Sequence, residues 1–187
     1  MKEQKMDYFT ALYDVARVIN ASLDPSLVLK EIVQCVVSAL DVKAATIRLL
    51  DARQTRLVMG ASQGLSEKYL HKGPILIEES GIDKSALAGS TLWIENAQTD
   101  KNFQYGAMAR AEGIKSLLVV PLLVEKKVIG VLRAYSDRVR KFTPQEIRFL
   151  EAVANLSAIA LDNARLHQTL QTNCDLMAAH KYRIDDN

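Results

Sequence analysis

With 187 residues, 49% of them hydrophobic and 25% charged, the chain has the length and composition of one soluble domain with its own core. Its 24 basic and 22 acidic residues nearly cancel, to a formal +2, which argues against the concentrated basic face of a nucleic-acid binder. No apolar run approaches the roughly 20 residues that a membrane helix needs, and the charged start MKEQKMDYF lacks the apolar segment of a signal peptide.

The densest basic stretch, residues 133–141, contains Asp137 and reads as a solvated loop. Cys35 and Cys174 stand far apart and outside any CxxC spacing, so they form neither a zinc site nor a disulfide framework. That usage fits a reducing compartment, and the expected location is cytoplasmic. Cys35 lies in the apolar phase of a helical pattern and reads as a buried small hydrophobe.

The first element is a helix over residues 5–20, with Phe9, Leu12, Ala16 and Ile19 at helical spacing. Asp24 as N-cap and Pro25 at the first helical position open a second, with Val28, Ile32, Val33, Val36 and Leu40 on one face. Residues 44–51 read as a strand with Ile47 and Leu49 on one side and Arg48 interrupting the other. After the turn ARQT, residues 56–64 are its antiparallel partner.

The middle is less regular. It predicts a short helix over 64–70, a brief extended piece in KGPILIEES, one or two helical turns in GIDKSALAGS closed by Gly89, and a short strand in TLWIENA. Residues 96–113 hold a loop and another short helix. Residues 116–123 and 127–135 form a hairpin, since so short a link leaves only the antiparallel arrangement. Pro121 marks an edge-facing position or a bulge, and Gly130 lets another group approach the sheet closely.

Thr143, Pro144 and Glu146 then spell a capping box. The helix it starts meets no breaker until at least Leu176, about 33 residues or roughly 50 Å. A domain of this size is only about 35–40 Å across, so the helix projects beyond its core. Two apolar stripes run along it: Ile147, Leu150, Ala154 and Leu161, then Phe149, Val153, Leu156 and Ala160. One docks on a sheet and the second wants another partner. The stripe weakens past Leu170, where fraying is expected.

The element order and several motifs resemble the GAF domain family, small-molecule sensor and signalling modules related in shape to PAS domains. Carrying the likeness are ARVINASLDPSLVLKEIV, ATIRLLD, SGIDKSALAGSTLWIENAQTDKNF, GIKSLLVVPLLVEKKVIGVLRAYS and FTPQEIRFLEAVANLSAIALDNARL, over about residues 12–166. The resemblance implies an α+β fold, GAF-like (profilin/PAS-like). Its antiparallel sheet has five or six strands, with the N- and C-terminal helices packed on one face and the irregular middle roofing a cavity on the other. Residues 1–22 are then an N-terminal dimerisation helix, 23–170 the GAF domain and 171–187 a C-terminal helix extension or tail.

Family members with specialised chemistry set residue-level tests. The Cys-His pair that attaches bilin would fall near Gln104-Tyr105, where neither residue stands. The family's methionine sulfoxide reductases need clustered cysteines near the pocket, and Cys35 and Cys174 lie on helices. Asp100-Lys101-Asn102-Phe103 overlaps the cyclic-nucleotide signature in composition alone, with no Asp-Glu pair after it. His71, His167 and His180 read as surface histidines, with haem ligation the rival. No Ser-His-Asp spacing, P-loop or HExxH occurs, and the residues name no cofactor.

The candidate ligand-binding residues are Trp93, Phe103, Tyr105 and Met108 as a wall, with Asn96, Ser116 and Arg133 as polar contacts. The same wall would equally fill a collapsed pocket. Arg133, among apolar neighbours on a strand, needs a partner: a ligand anion, Asp51 or Glu95. The expected function is a non-enzymatic sensor that binds a small molecule and relays its occupancy through terminal helices in a homodimer, without nucleic acid or membrane. The alternatives are a ligand-free dimerisation scaffold and, against the cysteine positions, a relative of the free methionine sulfoxide reductases. Output would lie in a partner protein or in the rest of a longer chain.

Overall fold

The computed structural model describes residues 7–22, 24–71, 73, 75–100 and 106–185, with side chains as far as residue 177. The helices are α1 (Tyr8–Ala21), α2 (Pro25–Leu40), α3 (Glu67–Leu70), α4 (Gly81–Leu87), α5 (Gly106–Glu112) and α6 (Pro144–Asp185). The strands are β1 (Ala44–Leu50), β2 (Arg56–Gln63), β3 (Ile75–Leu76), β4 (Leu92–Ile94), β5 (Ser116–Val124) and β6 (Lys127–Ser136). They form one antiparallel sheet in the order β3-β2-β1-β6-β5-β4.

Local chemistry starts the long helices where the sequence says. Asp24 accepts from the Ser26 amide at 2.9 Å, with Pro25 at the first position of α2. In the box before α6, the Thr143 amide donates to Glu146 at 2.7 Å and the Glu146 amide donates to the Thr143 hydroxyl at 3.2 Å. Arg140 pairs with the same carboxylate at 3.1 Å and stacks 4.6 Å over the Phe142 ring. The basic stretch is therefore not a solvated loop throughout. Arg133 is buried in β6, and Arg138 holds Asp41 at 2.6 Å, pinning this segment to the end of α2.

Alternation along the strands divides the sheet into two faces. On one, α1, α2 and α6 pack over Ala45, Ile47, Leu118, Val120, Leu122, Leu132 and Ala134. Tyr8 of α1 sits 5.0 Å from Phe149 of α6 in this layer. Cys35 is half-buried there, its thiol donating to the Ala11 carbonyl at 3.5 Å, and burial pushes its pKa up. The opposite face carries Ala44, Leu117, Val119, Val131 and Tyr135, covered by the short helices of the middle segment through Tyr69, Ile82, Ala86 and Ala109.

Two backbone features make the sheet close correctly. Gly130 lies opposite Leu49, and a Cβ there would fall on the Arg48 carbonyl oxygen and within 3.0 Å of the Leu49 Cα. The close neighbour is thus β1 itself. Pro121 lies past the stretch of β5 that pairs with β4, where the strand has one neighbour only, and a bulge follows between Leu122 and Leu123.

Helix α6 continues for 42 residues, about 60 Å, past Leu170 and on to Asp185. Past Leu170, where fraying is expected, the backbone is helical: polar residues remove an apolar stripe, but without Pro or Gly they leave the backbone ladder intact. Ile159, Leu166, Leu170 and Met177 are exposed and, at 100° per residue, lie within about 40° of one another on this helix. Among the described residues no helix is long and apolar enough to cross a membrane.

Gly130→Ala should lower stability by about 1–3 kcal/mol, read as a reduced urea midpoint, because β1 cannot yield to the added carbon without breaking its pairing. Thr143→Ala should cost about 1 kcal/mol by the same measurement, through loss of the cap of α6.

Candidate functional site

The face covered by the middle segment is not uniformly apolar. Pairing sets Thr46 opposite Arg133 and Ala44 opposite Tyr135. On the other flank of β1, Ser62 lies opposite Thr46 and Met59 opposite Arg48. Thr46, Arg48, Arg133 and Tyr135 therefore point to the same side of the sheet, beneath the roof. All four are buried. The Thr46 and Tyr135 hydroxyls share a hydrogen bond of 3.2 Å, and the Tyr69 ring from α3 stands edge-on to Tyr135 with centroids 6.4 Å apart.

The partner of Arg133 is neither Asp51 nor Glu95. Asp51 closes its own turn, accepting from the Thr55 amide at 2.8 Å, and Glu95 faces Lys141 at 3.8 Å on the surface. Instead, Asp83 comes down from the first turn of α4, and the Arg133 Nη2 donates to its Oδ1. Each partner is about 1% exposed. The Ser80 hydroxyl donates to the second oxygen of Asp83 at 2.5 Å, which orients the carboxylate. Burial works against the charge on Arg133, but Asp83 and Tyr135 overcome it and hold the guanidinium above its ordinary pKa. A buried pair of this kind is destabilised by about 3–5 kcal/mol when one partner is removed, because the other is left charged and dry.

Arg48 lacks such compensation. It is 3% exposed, and its Nε and Nη2 find no hydrogen-bond partner among the described residues. Burial pushes its guanidinium below the ordinary value, and Arg133 adds to that push while Tyr135, Tyr69 and Asp83 oppose it. The Nε of Arg133 and the hydroxyl of Ser62 are likewise without partners among the described residues. Among the described residues, Arg48, Arg133 and Asp83 together carry one more positive than negative charge. The nearby Glu112 accepts from the Ser66 amide at 3.0 Å, with Lys43 at 3.8 Å.

The sequence-derived candidates are not brought together. Of the seven, Arg133 stands in this cluster. Ser116 is buried at the sheet's end, its hydroxyl among the carbonyls of Glu95 (2.7 Å) and Arg138 (2.8 Å) and the amide of Arg140 (2.8 Å), a clamp between strand ends. Asn96 closes a turn by accepting from the Gln98 amide at 3.1 Å. Trp93 is 51% exposed on the edge strand β4, beside a hollow of about 370 Å³ shared with Ile82, Ser85 and Asp100. Met108 lies on α5 by a smaller hollow of about 110 Å³ that also touches Tyr69 and Glu112. Phe103 and Tyr105 lie outside the described residues. Arg48 and Asp83 were the residues missed. The interruption of the apolar face by Arg48 was the available signal, whereas Asp83 looked like any other polar residue in a short amphipathic helix. Among the described residues no group of three or more His, Cys, Asp or Glu side chains could hold a metal ion.

Comparison with known proteins places this geometry in a family. Over 59 residues, 31% of this chain and 8% of the relative, the chain is 42% identical to the circadian input-output histidine kinase CikA of Thermosynechococcus vestitus. With the Nif-specific regulatory protein of Azospirillum brasilense it shares 26% identity over 182 residues, 92% of this chain and 28% of the relative. The chain thus spans less than a third of the length of these curated relatives. Among solved structures, the GAF domain of a phosphoenolpyruvate-protein phosphotransferase from Coxiella burnetii superimposes with a TM-score of 0.79 at 20% identity, covering 89% of this chain and 99% of that one. Free methionine-R-sulfoxide reductase from Neisseria meningitidis shares the fold with a TM-score of 0.72 at 20% identity, covering 86% and 91%. The profile of the GAF domain family matches residues 22–162, and the chain belongs to that family.

Proposed function

We propose that this chain is a non-enzymatic GAF sensor module that binds a small molecule against the roofed face of its sheet and relays occupancy through α1 and α6 of a cytoplasmic homodimer. The observation that carries the reading is Arg48, a buried guanidinium with two nitrogens lacking partners among the described residues, on the face that the middle segment covers. Buried polar groups in folded proteins are nearly always satisfied, and a ligand is one way to satisfy these. The non-enzymatic part is supported by the cysteines. The half-buried Cys35 packs on the opposite face, and the exposed Cys174 sits far along α6.

One observation favours the rival scaffold reading. A second apolar cluster, with Leu57, Tyr69, Ile75, Ile82 and Tyr135 at its centre, joins the roof tightly to the sheet. Native mass spectrometry of the purified protein decides between the two. A co-purifying small molecule is the expected result; a bare chain that no candidate molecule stabilises would establish the scaffold.

The dimer is supported by the unpartnered helix faces. Phe9 of α1 and Leu166 and Leu170 of α6 are exposed in a single chain, and burying each would contribute about 1.5–3 kcal/mol. In this reading residues 1–22 add an N-terminal pairing helix to a domain over 23–170, with 171–187 as its extension, and four such helices bundle about a two-fold axis. Sedimentation should show a dimer for the intact chain at tens of micromolar. It should show folded monomers, with an unfolding midpoint lower than that of the intact dimer, for the double variant Leu166→Glu, Leu170→Glu. An intact chain that sediments as a monomer would remove the relay.

A further inference from the structure

We propose that Arg48 is the anchor for a small monocarboxylate, held by its Nε–H and Nη2–H on the roofed face of β1. This deepens the sensor reading and rests on it. The two nitrogens without partners are not an arbitrary pair. On a guanidinium, the Nε–H and the neighbouring Nη2–H lie parallel along one edge, the fork that meets both oxygens of a carboxylate at once. An Arg buried for packing alone would turn this edge toward a backbone carbonyl or a carboxylate of its own chain. Arg133 gives its Nη2–H to Asp83 and leaves only its Nε–H without a partner among the described residues, whereas neither group of Arg48 has one.

Charge selects the valence of the ligand. Among the described residues, Arg48 and Arg133 against Asp83 leave one positive charge, all three side chains buried, so one negative charge closes the balance. A dianion such as phosphate would leave a net negative charge buried, which is costly in a region of low polarity. The surroundings select the remainder of the molecule. Across the strands Arg48 faces Met59 and Val131, and the next residue on its own side of β1 is Leu50. Thr46 and the Ser62 hydroxyl, the latter without a partner among the described residues, border the same face. A short apolar body with at most one hydroxyl or carbonyl group matches these neighbours, and a second charge does not. The buried Arg133–Asp83 pair then serves as a fixed wall: its two charges are matched and it ties α4 to the sheet.

The test uses the intact chain, with acetate, propionate and L-lactate as probes and sodium chloride and sodium phosphate at matched ionic strength as controls. At least one monocarboxylate should raise the melting temperature saturably, by about 5–10 °C at a hundredfold excess over its dissociation constant. Chloride and phosphate should not. Arg48→Met should abolish the response and, because it removes a charge that has no partner among the described residues, should melt no lower than the wild type without acid. Arg48→Lys, which keeps the charge but loses the fork, should respond at least tenfold more weakly. Arg133→Met should melt lower, since it strands Asp83.

Equal stabilisation by chloride or phosphate, an undiminished response in Arg48→Met, or collapse of both Arg48 variants would overturn the proposal. A neutral or cationic molecule that co-purifies and still binds Arg48→Met would sink the carboxylate while leaving the sensor reading intact. Absence of any ligand or response would sink both.

Discussion

A guanidinium in the middle of a sheet cannot reach water by its own length, and Arg133 stands there at 1% exposure. Its charge requires a carboxylate from elsewhere in the chain, and the sheet has none on that face, so Asp83 has to be delivered from above. Seating Asp83 seats α4 over β5 and β6, and with it the chain between β3 and β4. The interaction costs the desolvation of two ions and adds little net stability, so its value is specificity: it decides where the roof lies. Apolar contacts from Ile82 and Ala86 could slide along the sheet, whereas a carboxylate locked between Arg133 and Ser80 cannot.

Once the roof is seated, the remaining charge acquires meaning. Arg48 differs from Arg133 by one feature, the absence of a carboxylate partner, and lies one strand away from it. The same strand carries Ile47 and Leu49 into the layer formed by α1, α2 and α6. Alternation along β1 therefore puts a candidate ligand contact and two helix contacts on successive residues. Gly130 presses β6 against the backbone of β1 at this point, so the region has little slack. In the helical layer, α2 rests on β1 and β2, and α6 on β5 and β6.

Much of this architecture was legible in the sequence because it rests on local rules. Helix starts depend on residues three or four apart, so Asp24-Pro25 and Thr143-Pro144 with Glu146 announced α2 and α6 where they begin. Strand faces depend on parity, so Ile47 and Leu49 could be set against Arg48 before any fold was known. The hairpin from β5 to β6 followed from a link too short for any other connection. The capacity of α6 to outrun the domain followed from length alone.

What the sequence could not supply was the pairing of groups far apart along the chain. Arg133 visibly needed a partner, yet Asp51, Glu95 and Asp83 are chemically equivalent, and choosing among them requires knowing which face each occupies. Ser116 shows the same limit from the other side: a polar residue beginning a strand looked available, and three backbone groups from two other segments occupy it. The sequence by itself determined the elements, their order and the side of each strand, because backbone sterics and hydrophobic period act over a few residues. Only the tertiary structure decided which charges meet and which is left over, because a charge under the roof is balanced by whatever the fold brings within about 3 Å of it, irrespective of separation along the chain.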